Sequence, residues 1–231
     1  MLRRRRPSPY HMALVTLLSS LGQGLPLASM FKIYNHLVCR IQDENLSIWQ
    51  APRNVDPNNF LPPPPELPQP PNCDSQWVEQ TTSAYSAAMA TVGALSALLL
   101  LERANRMTER FGRKILLLIA MLILSLGYLV FVLSTLLPPL WGAAILFAAV
   151  VTLEASQGTL LRVAVQEYVV DFTEESSRAG TLSFIEGFGQ IGAFPASALG
   201  GWLAALTASF NAPFYACSAV FGVAFAYIIL I

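Results

Sequence analysis

Charged residues are scarce in this sequence, and their scarcity excludes several classes of protein. Asp, Glu, Lys and Arg make up 12% of the 231 residues, whereas soluble domains contain about 25%. The 14 acidic and 14 basic residues balance to a net charge of zero, which gives no support to nucleic-acid binding. Because 54% of the residues are hydrophobic, we do not expect a soluble catalytic domain.

Histidine and cysteine are scarce as well, and the common catalytic motifs are missing. The two histidines, His11 and His36, lie at opposite edges of the first apolar segment, and no cysteine–histidine spacing is typical of zinc. The sequence has no glycine-rich phosphate loop and no Ser/His/Asp order typical of a hydrolase. We therefore predict that the protein is not an enzyme and needs no metal ion or other cofactor.

Six long apolar segments occupy most of the chain. A helix that crosses a bilayer needs about 20 apolar residues, and a lone strand would leave its backbone without hydrogen bonds in lipid. We therefore predict an all-α, polytopic membrane bundle of six transmembrane helices. The predicted spans are 12–33, 80–101, 115–136, 140–161, 183–206 and 212–231. The first is expected to be retained as a span, because no signal-peptide cleavage site follows it.

Basic residues are distributed unevenly between the predicted loops. With the N-terminus in the cytoplasm, 11 of the 14 Lys and Arg lie on the inner side: the arginines at 3–6, Arg103, Arg106, Arg110, Arg113, Lys114, Arg162 and Arg178. Only Lys32, Arg40 and Arg53 lie on the outer side. Because cytoplasmic loops carry such an excess of positive charge, we predict that both termini face the cytoplasm. We expect the plasma membrane rather than a lysosomal or vacuolar membrane.

The segment 37–79 is then an external loop, acidic and rich in proline. Its run of four prolines at 62–65 favours extended polyproline geometry over helix or central strand. Asn45 begins an Asn-Leu-Ser sequon and is a candidate glycosylation site, although sequons also occur by chance. Cys39 and Cys73 lie in the same loop, where an oxidising compartment permits a disulfide. The alternatives are free thiols or pairing outside the chain.

A specific order of charged residues and glycine lies between the second and third spans. Residues 105–114 read NRMTERFGRK and resemble the signature loop of the major facilitator superfamily, G-x-x-x-D-R-x-G-R-[RK]. Asn105 and Glu109 depart from that pattern, whereas Arg110, Gly112, Arg113 and Lys114 match it. The alternative, a basic cytoplasmic hairpin, explains the charges but not their order. The resemblance implies half of a facilitator fold, built from two inverted three-helix repeats.

Further short stretches extend the resemblance. Asp171 and Arg178 follow the fourth span, where facilitator carriers commonly place an aspartate and then an arginine. The resemblance implies a gating loop in which charge pairs join helices and break when the carrier changes state; its candidate residues are Glu109, Arg110, Gly112, Arg113, Lys114, Asp171 and Arg178. The stretches 184–186, 200–202 and 211–215 resemble the fifth and sixth spans of the proton-coupled folate transporter and haem-carrier family.

Four polar residues inside the predicted spans are candidates for a solute or proton pathway, because polar groups are costly in the membrane. Glu186 corresponds to a glutamate that takes part in proton coupling in the resembled family; the alternative is a cap at the fifth helix. Glu154 and Gln157 share a predicted helix face toward a cavity or a partner helix, unless Arg162 pairs with Glu154. Gln23 and Pro26 interrupt the first span at mid-depth, as polar and helix-breaking residues do at substrate sites in several carriers; the alternative is plain helix packing.

The sequence therefore predicts a secondary active transporter that moves a small organic solute by alternating access, with proton symport. Its expected partners are the solute, protons and membrane lipid. Since facilitator carriers normally have twelve spans, the single domain 1–231 is expected to be an N-terminal half that joins a missing C-terminal half or another half-carrier. The alternative is a non-transporting truncated carrier or a membrane binding or regulatory protein.

Overall fold

The computed structural model describes residues 10–49, 73 and 76–230, without the side chains of 43–49, 158 and 159. Within these residues every regular element is a helix, which confirms the all-α prediction. The helices are α1 His11–Gly24, α2 Leu27–Trp49, α3 Gln76–Phe111, α4 Arg113–Leu136, α5 Pro139–Ala155, a π-helical turn Ser156–Leu161, α6 Arg162–Phe172, α7 Glu175–Thr207 and α8 Ala212–Leu230.

Helices occupy all six predicted spans, and four stretches are long and apolar enough to cross a membrane on their own. These are His11–Gln42, α3, α4 and α8. Helix α5 is apolar but has 17 residues, which is short for a span. Helix α7 has 33 residues, but its glycines and polar side chains lower its mean hydropathy. The chain is thus a helical membrane bundle.

Pro26 divides the first apolar segment into two helices, as the sequence predicted. Its nitrogen has no hydrogen to donate to the preceding turn, and α1 ends at Gly24. Its carbonyl accepts hydrogen bonds from the amides of Ser29 and Met30 at 2.9 Å, which begins α2. The break places Gln23 at the end of α1.

Helical structure extends into both ends of the predicted external loop, 37–79. Helix α2 continues to Trp49, and α3 begins at Gln76. A helix satisfies its own backbone hydrogen bonds, so it can continue past the apolar run into polar sequence. The proline run at 62–65 lies outside the described residues, and Asn45 lies in the helical backbone of α2.

A disulfide joins Cys39 of α2 to Cys73, whose Cα atoms are 5.3 Å apart. Of the three alternatives that the sequence left open, the internal bridge is the one present. Cys39 and Cys73 pack beside Val38 and Val78, so the bridge ties α2 to the start of α3. Cys217 is a free, buried thiol in the core.

The fourth span is longer and less regular than predicted. Helix α5 ends at Ala155, and the π-helical turn Ser156–Leu161 connects it to α6, which runs to Phe172. A π-helical turn changes the angular spacing of successive side chains. Residues before and after this turn therefore face directions that a regular helix would not give them.

Helix packing couples the first three spans to the last three. Helix α1 packs along α7, α3 along α5, and α4 along α8. This pairing is the one expected when two groups of three spans are related by a two-fold axis. Glycines bring α1 and α7 into close contact, since a Cβ at Gly192 would collide with the Leu17 carbonyl oxygen and one at Gly200 with that of Leu25.

Aromatic side chains fill the interface between α4 and α8. Phe131 stacks on Phe214 with ring centres 4.4 Å apart, and Tyr128 stacks on Phe221 at 5.8 Å. All four are buried. Tyr128 of this aromatic layer also accepts a hydrogen bond from Gln157 of the fourth span.

Candidate functional site

A small polar pocket of about 120 Å³ lies between α1, the π-helical turn, α6 and α7. It contains three of the four residues predicted for a solute or proton pathway: Gln23, Gln157 and Glu186. The rest of its wall is Thr16, Ser19, Ser20, Leu161, Arg162, Val165, Gln166, Leu182 and Ile185. The fold therefore brings together polar residues of the first, fourth and fifth spans.

A tyrosine of α4 holds the Gln157 side chain at the wall of this pocket. The side-chain amide of Gln157 donates a 2.7 Å hydrogen bond to the hydroxyl of Tyr128, which is stacked on Phe221. The sequence analysis missed Tyr128, although a tyrosine inside an apolar span is itself a signal. The bond gives Gln157 a fixed position between α4 and the pocket.

Two groups of opposite charge line the pocket without pairing. Glu186 and Arg162 are both exposed, and among the described side chains neither forms an ion pair. Arg162 was a possible partner for Glu154, and the ion pairs of the described residues do not include that pair. The capping alternative for Glu186 is wrong, because α7 begins at Glu175, eleven residues earlier.

Glu154, the fourth pathway candidate, does not line this pocket. It lies just before the π-helical turn, and its Cβ packs closely against Gly93 of α3, where an added Cβ would be 2.8 Å away. Gln157 lies within the turn and contacts α4 instead. The two residues thus contact different helices.

The signature loop makes a sharp turn at Gly112, between α3 and α4. Gly112 has φ +83° and ψ 158°, a conformation that is open to glycine and strained for other residues. No atom lies within 4 Å of a Cβ added there. The turn therefore requires glycine for its backbone conformation and not for space.

The two cations that follow Gly112 join α4 to two other helices. Arg113 forms an ion pair with Asp171 and lies 3.6 Å from the Glu167 carboxylate, both on α6. Lys114 donates a 3.1 Å hydrogen bond to the Ile229 carbonyl in the last turn of α8, where a cation is favoured. Glu167 was missed, although it lies four residues before Asp171 and therefore on the same helix face.

The remaining loop candidates have other positions. Arg178 donates a 3.2 Å hydrogen bond to the Val170 carbonyl in the last turn of α6, so it caps that helix and does not pair with Asp171. Glu109 and Arg110 are exposed, and neither forms an ion pair within the part of the chain that the structure describes.

A cavity of about 740 Å³ lies beside this charged cluster. Glu109, Gly112, Arg113, Lys114 and Asp171 are in its wall, together with Met12, Asn105, Thr108, Leu117, Glu167, Tyr168, Phe172 and Ile228. The wall therefore combines charged side chains of both signs with apolar ones.

A helical membrane bundle with polar residues converging between its spans and a charged, glycine-containing turn at one end is typical of membrane transporters. Comparison with protein-family models gives a match to the Major Facilitator Superfamily over residues 12–231. The chain therefore belongs to the Major Facilitator Superfamily, as its signature loop predicted. No curated protein matches the sequence.

Proposed function

We propose that this protein is a secondary transporter that moves a small organic solute by alternating access, and that the pocket at Gln23, Gln157 and Glu186 is part of the solute pathway. The observation that carries the proposal is the convergence of these three residues, which belong to three different spans. Polar groups inside a membrane bundle are costly and mark substrate or ion pathways. Membership of a transporter superfamily supports the same assignment.

The size of the pocket limits what it holds. Its volume of about 120 Å³ is below the range of about 300–1,000 Å³ that is usual for ligand sites. It accommodates one polar group of a solute, hydrogen-bonded by the amides of Gln23 and Gln157. The remainder of the solute would contact surfaces outside this pocket.

Glu186 is proposed to couple transport to protons. It contributes the carboxylate of the described pocket, and Arg162 contributes a positive charge to the same wall. A proton bound to a Glu186 carboxylate oxygen removes the negative charge and weakens its attraction to Arg162. Protonation would therefore change how the pocket holds a polar solute. The narrower resemblance to proton-coupled folate and haem carriers supports this role.

The charged cluster at the signature loop is proposed as the gate. Arg113 holds the start of α4 to α6, and Lys114 holds it to the end of α8. Separating these helix ends requires the ion pair and the hydrogen bond to break together. Such discrete contacts give a carrier two distinct states.

The disulfide supports the proposed orientation. The Cys39–Cys73 bridge is expected in an oxidising compartment, and the basic loop at Gly112 lies at the other end of α3. Both features support a cytoplasmic signature loop and an external start of α3. We propose the plasma membrane as the location and Asn45 as a glycosylation site at the outer end.

Uptake by the purified chain tests the proposal. The protein is reconstituted into proteoliposomes, and labelled organic solutes are presented with and without an imposed pH gradient. Saturable uptake that the gradient accelerates is the expected result. If the folded, inserted protein takes up none of the solutes, the chain is a non-transporting membrane protein and the proposal is wrong.

A further inference from the structure

A second polar cavity lies at the end of the bundle opposite to the signature loop. Helix α4 has 24 residues, which span about 36 Å, and the cavity is at its far end beside Thr135 and Leu136. Its volume is about 400 Å³, and its other walls are α2 and the turn 208–211 between α7 and α8. The proposed pathway and gate do not use these residues.

Helix α2 contributes a row of basic side chains to this cavity. Lys32, His36 and Arg40 are spaced four residues apart, so they lie on one helix face, and all three line the wall. The row extends over about 12 Å of the helix. No carboxylate of the described residues lines the cavity. The described wall is therefore positive without a matching negative group.

The two permanent cations are held at the wall by neutral groups. The Lys32 ammonium lies 4.7 Å from the centre of the Phe210 ring, and Arg40 donates a 3.4 Å hydrogen bond to the Thr135 carbonyl. Neither contact cancels the charge, and each cation keeps further N–H donors. Fixed cations with unused donors are the usual means by which proteins bind carboxylates and phosphates.

An apolar cavity of about 300 Å³ adjoins the basic one. The two share Lys32, Ala208 and Phe210. The wall of the apolar cavity is completed by small residues: Ala28, Ser29, Gly201, Ala204 and Ala205. If the charged group of a molecule binds beside α2, an apolar group of the same molecule can therefore occupy this cavity, along the Phe210 ring.

We propose that this end of the bundle binds an anionic group, a carboxylate or a phosphate, through Lys32, His36 and Arg40. The apolar part of the same molecule lies along Phe210 in the adjoining cavity. A soluble organic anion and an anionic lipid headgroup offer the same chemistry. The site depends on the geometry of this end and not on the proposed transport role, so binding without uptake would leave it standing.

The two histidines of the chain allow a direct test. His36 lines the basic cavity. His11 is distant from that cavity and is hydrogen-bonded to Tyr227 of α8 at 2.9 Å. The full chain is labelled with ¹³C and ¹⁵N at histidine, purified in neutral detergent and titrated with inorganic phosphate at constant pH and ionic strength. We expect the His36 signal to shift saturably and the His11 signal to stay. Equal shifts of both signals would overturn the proposal, as would two unmoved signals here together with an unmoved His36 signal in the lipid discs described below.

Variants identify the groups that bind. Lys32→Gln and Arg40→Gln are expected to weaken phosphate binding by about tenfold each, since each removes a charged donor. Arg103→Gln removes the same charge from the signature-loop end of α3 and serves as the control. Because Lys32 is exposed, its variant remains informative even if Arg40→Gln unfolds. Unchanged affinity in both variants would contradict the assignment.

Lipid discs separate the two sources of the anion. The labelled chain is placed in phosphatidylcholine discs with or without phosphatidylglycerol in phosphate-free buffer, and phosphate is then added to the discs of phosphatidylcholine alone. A His36 shift caused by phosphatidylglycerol assigns the site to a lipid headgroup, whereas a shift caused by phosphate in phosphatidylcholine alone assigns it to a soluble anion. No shift in either arm would refute the site.

Discussion

Gly112 shows how one residue determines the shape of the signature loop. Its backbone conformation, with φ +83°, costs other residues on the order of 1–3 kcal/mol. Gly112→Ala is therefore expected to lower the free energy of unfolding by about that amount, measured from thermal unfolding in detergent. Gly180→Ala is the control, because Gly180 lies in α7, no neighbouring group lies within 4 Å of a Cβ added there, and alanine favours helix. Equal losses in the two variants would contradict the conformational argument.

The ion pair between Arg113 and Asp171 is the other testable contact at the scale of single residues. Their side chains are 29% and 46% exposed, so solvent screening limits the coupling to about 1 kcal/mol. A double-mutant cycle with Arg113→Gln and Asp171→Asn is expected to give that coupling energy in thermal unfolding. Arg110→Gln, which removes an exposed arginine of the same loop, should couple to Asp171→Asn by much less. Additive effects for Arg113 would refute the pair.

At the scale of secondary-structure elements, the clearest feature is the close packing of α1 on α7. Gly200 contacts the backbone of Leu25, whereas nothing lies within 4 Å of a Cβ added at its neighbour Gly201. Gly200→Ala is expected to lower the free energy of unfolding by about 1–3 kcal/mol through overpacking. Gly201→Ala should leave it unchanged or raise it, since alanine favours helix. Thermal unfolding of the two variants measures the difference, and similar midpoints would argue against close helix contact.

The helices also show which structural features could be predicted from sequence patterns and which could not. Apolar runs predicted all six helical regions, and Pro26 predicted the break in the first, because both depend on local chemistry. The length of α2 could not be read from hydropathy, since its polar half is helical without being apolar. The π-helical turn Ser156–Leu161 has no sequence signal of its own; it occurs where Gln157 bonds to Tyr128 of another helix.

At the scale of the whole molecule, the sequence identified three polar residues that meet in one pocket but did not identify the residues that they contact. Gln23, Gln157 and Glu186 were chosen because polar groups are costly in a membrane, and the fold brings them to one pocket. Glu154 met the same criterion but lies outside that pocket. Tyr128 and Glu167 were missed because their roles depend on which helices are neighbours, and one sequence does not determine those neighbours.

Proton-driven accumulation in proteoliposomes tests the proposed transport mechanism at this scale. Glu186→Gln removes the carboxylate of the polar pocket, and Glu175→Gln removes one from the first turn of the same helix, outside the described pockets. With an imposed inward proton gradient, the wild-type chain and Glu175→Gln are expected to accumulate solute. Glu186→Gln is expected to lose gradient-driven accumulation while keeping solute exchange. Accumulation by Glu186→Gln with an unchanged dependence on pH would contradict the coupling role of Glu186.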